Sequence, residues 1–227
     1  MSTEQQPRRI RIWDWPVRLT HWALVLCILA LYATGEYGWL SMDWHFRFGY
    51  AALTLILFRL IWGVVGSQHA RFSDFVRGPR AILHYLESWG RADYRPALGH
   101  NPLGALAVLA MLLLMLAQAV SGLFSNDEIQ WFGPLSERIS TSASADWTDW
   151  HHLGQKLLLL MIVLHLAAIS VYRLVKHEDL VQPMLTGSKQ RSDGHDARWR
   201  SPWLALVLFA LCAGAVWAIT VWGPPPL

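Results

Sequence analysis

The chain has 227 residues, 54% of them hydrophobic and 15% charged, with a mean hydropathy of +0.27. Soluble domains carry roughly 25% charged residues, so this composition excludes an ordinary soluble globule and points to a membrane protein. The formal charge of +3 reads as membrane-flank charge with no sign of nucleic-acid binding, and Cys27 and Cys212, both inside apolar runs, give no disulfide framework.

In chain order, residues 1–12 form a polar, basic and loose arm carrying Arg8, Arg9 and Arg11. Tryptophans in WDWPVRLTHW then read as interfacial anchors, and Asp14 ahead of Pro16 marks a helix start. The first span runs from about Val17 to Tyr37; it is long for a signal peptide, and no A-x-A site follows it. The second, about Trp44 to Val65, opens on His45 and carries Arg59 near its far end, placed to snorkel to the interface or meet a cofactor carboxylate.

Residues 67–100 are a polar, arginine-bearing connection with a short amphipathic piece around Ala81 to Trp89. The third span, about Pro102 to Phe124, is the most uniformly apolar. An acidic stretch, 125–150, leads to the fourth span, from His151 to about Val175. A polar linker, 177–200, precedes a fifth span, about Pro202 to Trp222, and a short tail. Each span reaches the roughly 20 residues needed to cross the hydrocarbon.

Lysine and arginine counts give the orientation. The N-terminal arm holds four, the 67–100 connection five and the segment after span four six, whereas the opposite loops hold only Arg138, with Arg47 and Lys156 at helix ends. The expected topology is a multi-pass bacterial inner-membrane protein, N-terminus cytoplasmic and C-terminus periplasmic.

The stretch HHLGQKLLLLMIVLH (151–165) carries the chemistry. An imidazole at membrane depth is costly unless paired or liganded. At about 100° and 1.5 Å per residue, His151 and His165 share a face, roughly 40° out of phase, and stand about 21 Å apart. That spacing suits two separate flat cofactors stacked across a bilayer. His152 falls roughly 140° off the His165 face, so His151 is preferred, with a swap left open.

By depth, His21 pairs with His165 at the inner level and His45 with His151 at the outer level. Facing imidazoles are what six-coordinate haem iron takes, and no CxxCH occurs, so haem would be bound non-covalently. Arg18 (inner) and Arg47 with Lys156 (outer) are the propionate partners, and Gly35, Gly49 and Gly154 would let a porphyrin approach a helix closely. His69, His84, His177 and His195 read as solvated. His100 in LGHNPLG is either part of a helix start or a contact to a quinone head group. A histidine-liganded metal transporter is the non-haem alternative.

These motifs resemble the bacterial cytochrome b561 and nickel–iron hydrogenase b-type cytochrome family over roughly residues 10–187. The matching segments are RLTHW (18–22), HFRFGY…LFRLIWGVVGSQHARFSDFVRGP (45–79), GHNPLGA (99–105), HHLGQKLLLLMIVLH (151–165) and VQPMLTG (181–187). The resemblance implies an all-α four-helix transmembrane bundle (13–176) holding two b haems, with ligands at His21, His45, His151 and His165. The fifth helix, in 201–227, is an addition to that pattern. It also implies electron transfer between the quinone pool and a periplasmic c-type cytochrome or other oxidoreductase subunit. One branch instead oxidises superoxide and reduces quinone without a protein partner.

Overall fold

The computed structural model describes residues 8–91, 94, 96–191 and 195–221. Residues 1–7 of the expected arm, Arg95 and the tail from 222 lie outside these. Among the described residues, five helices are long and apolar enough to cross a membrane: α1 (Trp15–Gly35), α2 (Met42–Val65), α5 (Pro102–Phe124), α6 (Thr141–Val175) and α8 (Pro202–Val221). They correspond to the five expected spans. Between them lie the short helices α3 (Phe72–Phe75), α4 (Pro79–Ser88) and α7 (Val181–Thr186), and the strands β1 (Arg8–Arg11) and β2 (Ser188–Arg191).

Polar caps set the helix starts. Asp14 accepts from Val17 N at 3.0 Å and uses its second oxygen for Trp62 Nε1 at 2.9 Å, so one buried carboxylate starts α1 and ties it to α2. Asn101 Oδ1 accepts from Gly104 N at 2.8 Å to start α5. Ser140 caps α6 through Ala143 N, well before His151, where the sequence read as loop. Tertiary contacts hold that first stretch helical. Ser144 Oγ donates to Phe124 O at 2.5 Å, Thr148 Oγ1 donates to Asn126 O at 3.0 Å, and Trp147 stacks on Phe124.

Helix α1 packs on α2, α2 on α5 and α8, and α5 on α6. Leu24, Cys27, Ala52, Ile56, Leu112 and Met115 interlock α1, α2 and α5. Helix α8 buries only a narrow stripe, Ala205, Cys212 and Val216, and leaves large apolar side chains such as Trp203 and Leu211 outward, as lipid permits. It therefore lies beside the four-helix core.

One end of the bundle is basic and elaborated. Strands β1 and β2 pair antiparallel with Arg8 opposite Arg191, so the arm expected to be loose is ordered from Arg8 on. Alternation explains it: Ile10 and Ile12 point inward at 1% exposure while Arg9 and Arg11 face out. The polar linker is tied down as well, with Ala197 N donating to Arg11 O and Gln68 N to Arg198 O, both at 2.9 Å. Gly187, at φ +85°, turns α7 into β2, and its carbonyl accepts from Ile12 N and Trp13 N. The other end carries the acidic 125–140 segment.

Candidate functional site

The structure brings the four transmembrane histidines together in the two expected pairs. At the basic end the rings of His21 (α1) and His165 (α6) have centroids 6.5 Å apart. At the acidic end those of His45 (α2) and His151 (α6) are 6.3 Å apart. Metal–imidazole bonds run about 2.0–2.1 Å and a ring nitrogen sits about 1.1 Å from its centroid, so a metal gripped from both sides separates the centroids by about 6.3 Å. Both pairs fit that requirement for a bis-imidazole iron. His152 is exposed.

The acidic-end pair is held by a repeated device. His45 Nδ1 lies 3.1 Å from Leu31 O and 3.1 Å from Thr34 Oγ1, on α1. His151 Nδ1 lies 3.0 Å from Gln118 O and 3.0 Å from Ser121 Oγ, on α5. A carbonyl only accepts, so Nδ1 carries the hydrogen in both rings and Nε2 keeps its lone pair for a metal. The hydroxyls are turned to accept too, since Thr34 donates to Ala30 O at 2.8 Å and Ser121 to Gln118 O at 2.9 Å.

A glycine follows each hydroxyl. A Cβ on Gly35 would come within 2.9 Å of His45 Cε1, and one on Gly122 within 3.0 Å of His151 Cε1. Carbonyl, hydroxyl and glycine at i, i+3 and i+4 thus form one imidazole seat, used once on α1 and once on α5. Gly35 serves the imidazole, a role different from the expected close approach of a porphyrin. Gly154 admits Gln118 and Gly49 has only Leu31 at 3.9 Å. Thr34, Ser121 and Gly122 were not singled out from the sequence; the signal was a hydroxyl-glycine dipeptide at corresponding ends of spans one and three.

The basic-end pair lacks such a seat. His21 Nδ1 is buried without a partner, and His165 makes no hydrogen bond among the described residues. Its surroundings close it from below instead. Arg18 and Trp22, flanking His21, donate to the carbonyls of α7: Arg18 Nε to Met184 O at 3.4 Å, Arg18 Nη2 to Leu185 O, and Trp22 Nε1 to Met184 O at 3.3 Å. Arg18 therefore anchors α7. Arg47 lies over Trp44 at 5.0 Å, and two residues from His45 puts it on the opposite helix face; Lys156, five residues from His151, is exposed and about 140° off that face.

Other expectations change in the packed chain. Arg59 does not snorkel: it is 6% exposed, donates to Ala70 O at 3.2 Å and lies over Phe72. His69, expected to be solvated, is buried and bonded to Asp74 at 2.7 Å. His84, His177 and His195 are exposed, as expected. His100 sits against Trp13 and Phe75, with Nδ1 buried and unpartnered; burial pushes its pKa down to about 3, with Arg59, His69 and Lys189 adding to the effect.

A profile of the prokaryotic cytochrome b561 family matches residues 12–187. The probable Ni/Fe-hydrogenase B-type cytochrome subunit of Bradyrhizobium diazoefficiens is 23% identical over 216 residues, covering 81% of this chain and 87% of its own. That of Azotobacter chroococcum is 25% identical over 217 residues, covering 81% and 90%. The probable Ni/Fe-hydrogenase 1 B-type cytochrome subunit of Escherichia coli K12 is 22% identical over 222 residues, covering 81% and 92%. No solved structure gives a significant match.

Proposed function

The chain belongs to the prokaryotic cytochrome b561 family, and from that premise we propose that it carries electrons across the bacterial inner membrane between the quinone pool and a periplasmic oxidoreductase. Family and helices make it a multi-pass membrane cytochrome of the b type, an electron-transport protein with b-type haem. In our reading there are two haems per chain, one held by His21 and His165 near the cytoplasm and one by His45 and His151 near the periplasm. Such iron supplies one-electron chemistry when bound. The observation that carries this reading is the pair of imidazole spacings, 6.5 and 6.3 Å, each of the length a bis-imidazole iron requires.

The chain's own residues divide the work. Leu31, Thr34, Gln118 and Ser121 hold the outer imidazoles in the tautomer that leaves Nε2 free. Of the cations expected at the propionates, Arg18 is engaged in holding α7, and Arg47 and Lys156 stand off the ligand faces, so none of the three is assigned that role. Helix α7 and the paired strands close the inner end against water.

The lysine and arginine distribution supports an N-terminus in the cytoplasm and a C-terminus in the periplasm. Quinone then exchanges electrons beside the inner pair and the soluble partner beside the outer one. The names of the relatives support a partner of the hydrogenase class, with a c-type cytochrome as the alternative acceptor or donor. Acidic side chains at the outer end (Glu36, Asp43, Asp127, Glu128) favour a basic partner surface and disfavour anionic superoxide as the substrate.

The test is a reduced-minus-oxidised spectrum and haem assay on chain purified after haem-replete expression. Two haems with a b-type alpha band are expected, and His165→Ala should retain one. A colourless protein, or one haem in the wild type, overturns the reading.

A further inference from the structure

Three tyrosines from three separate segments meet at the basic end: Tyr85 on α4, Tyr94 in the connection after it, and Tyr172 on α6. Tyr85 Oη lies 2.5 Å from Tyr172 Oη and 3.2 Å from Tyr94 Oη. Tyr85 and Tyr172 are buried and Tyr94 is half-buried, so the line runs from inside the bundle's foot toward its surface. One hydroxyl contact would tie α4 to α6; here three hydroxyls are joined in series.

Asn101 gives the line a direction. Its Oδ1 is occupied by Gly104 N, which fixes the amide so that Nδ2 donates to Tyr172 Oη at 2.8 Å. Tyr172 accepts there and has its own hydrogen for Tyr85, and Tyr85 in turn has one for Tyr94. Lys176 stands at the outer end, its Nζ 4.5 Å from the Tyr94 ring and 4.7 Å from that of Trp89. Burial holds the Tyr85 and Tyr94 hydroxyls above the usual phenol range, so each stays protonated.

The inner end of the line points at the proposed site. Tyr172 is seven residues beyond His165 on one unbroken helix, which puts it about 20° off the imidazole's face and about 10.5 Å below it. Between them on that face stand only Ala168 and Ile169, a short apolar step.

We propose that Tyr172, Tyr85 and Tyr94 form a hydroxyl relay moving protons between cytoplasmic water and a quinone held beside His165 and Ala168. This rests on the quinone reading of the inner pair. Reduction of one quinone takes two electrons, supplied singly by the periplasmic redox protein, and two protons, which convert both carbonyl oxygens to hydroxyls. Each proton enters at Tyr94 while the hydrogens of Tyr94, Tyr85 and Tyr172 each move one place inward. The outward-pointing arrangement favoured by Asn101 is the one such a passage leaves behind, and rotation of the three hydroxyls resets it. Electron flow in the other direction runs the protons outward.

The experiment uses the full haem-loaded chain in proteoliposomes, with a short-chain ubiquinol as donor and ferricyanide as outer acceptor. Tyr85→Phe breaks the line at its middle and keeps the ring. It should slow turnover about tenfold and raise the solvent deuterium isotope effect, with haem content and dithionite-reduced spectrum unchanged. Redox-difference infrared spectra should show a tyrosine C–O band in the wild type that is lost in Tyr85→Phe. If Tyr85→Phe fails to fold, Tyr94→Phe, at the half-buried end, should give a smaller slowing of the same kind. Wild-type turnover, isotope effect and infrared band in the variant would overturn the relay alone. A wild type that cannot oxidise the quinol would overturn the quinone reading, and the relay with it.

Discussion

The two imidazole pairs have nearly the same spacing but are held in different ways. At the outer pair both rings are locked through Nδ1 onto carbonyl and hydroxyl oxygens of α1 and α5, with a glycine behind each. At the inner pair His21 Nδ1 is buried and unpartnered, and Arg18 and Trp22 spend their donors on α7. A carbonyl drawing on Nδ1–H makes an imidazole more basic and favours the ferric state. With a haem at each pair, as proposed, one ligand set would give two potentials. On this reading the outer site has the lower one, and electrons run downhill from periplasm to quinone.

The harshest way to break the comparison is to remove one ring from each pair. His151→Ala should lower the haem content of the purified chain from two to one and leave the inner haem's spectrum; His21→Ala should do the converse. Loss of both haems from a stably folded variant would contradict the pairing. His152→Ala should retain both.

Next in size are the glycines. Adding a methyl at Gly122 or Gly35 presses on an imidazole carbon from 3.0 or 2.9 Å, an overpacking that costs about 1–3 kcal/mol. Both alanine variants should lose outer-haem occupancy and thermal stability, whereas Gly49→Ala, with nothing nearer than 3.9 Å, should match the wild type.

A gentler change sharpens the comparison. Ser121→Ala or Thr34→Ala removes one of two acceptors from a single ring. A hydrogen bond of this kind is worth about 0.5–1.5 kcal/mol, or roughly 20–65 mV for one electron, and the outer potential should rise by part of that. A redox titration followed in the alpha band would show it, with the inner potential unmoved.

The smallest effect concerns the strands beneath the inner pair. Asp196 accepts from Arg11 N at 2.8 Å and from the Arg11 guanidinium at 3.2 Å, which hold its carboxyl below the usual range. Its stabilising effect is present above the ordinary carboxylate pKa and is lost as pH falls through the depressed value. Acidification below the ordinary carboxylate range should therefore lower the hydrogen-exchange protection factors at Ile10 and Ile12, corrected for the intrinsic exchange rate, and Asp196→Asn should do the same at pH 7.

Much of this was legible in the chain itself. Five apolar runs, the phase and rise from His151 to His165, and the sorting of four histidines by depth all follow from helix geometry and the cost of polar groups in lipid. Local pattern could not tell that 141–150 is helix, because its serines and aspartates favour turns until Phe124 and Asn126 give Ser144 and Thr148 their partners. It also misplaced Arg59 and His69, whose burial depends on Phe72, Ala70 and Asp74 closing over them. Periodicity along one helix thus determined which imidazoles share a level. Only the packing of one helix on another decided which nitrogen of each outer ring is free, that α7 takes Arg18, and that three tyrosines far apart in sequence share one line of hydroxyls. Those choices depend on distances between segments, which no local period encodes.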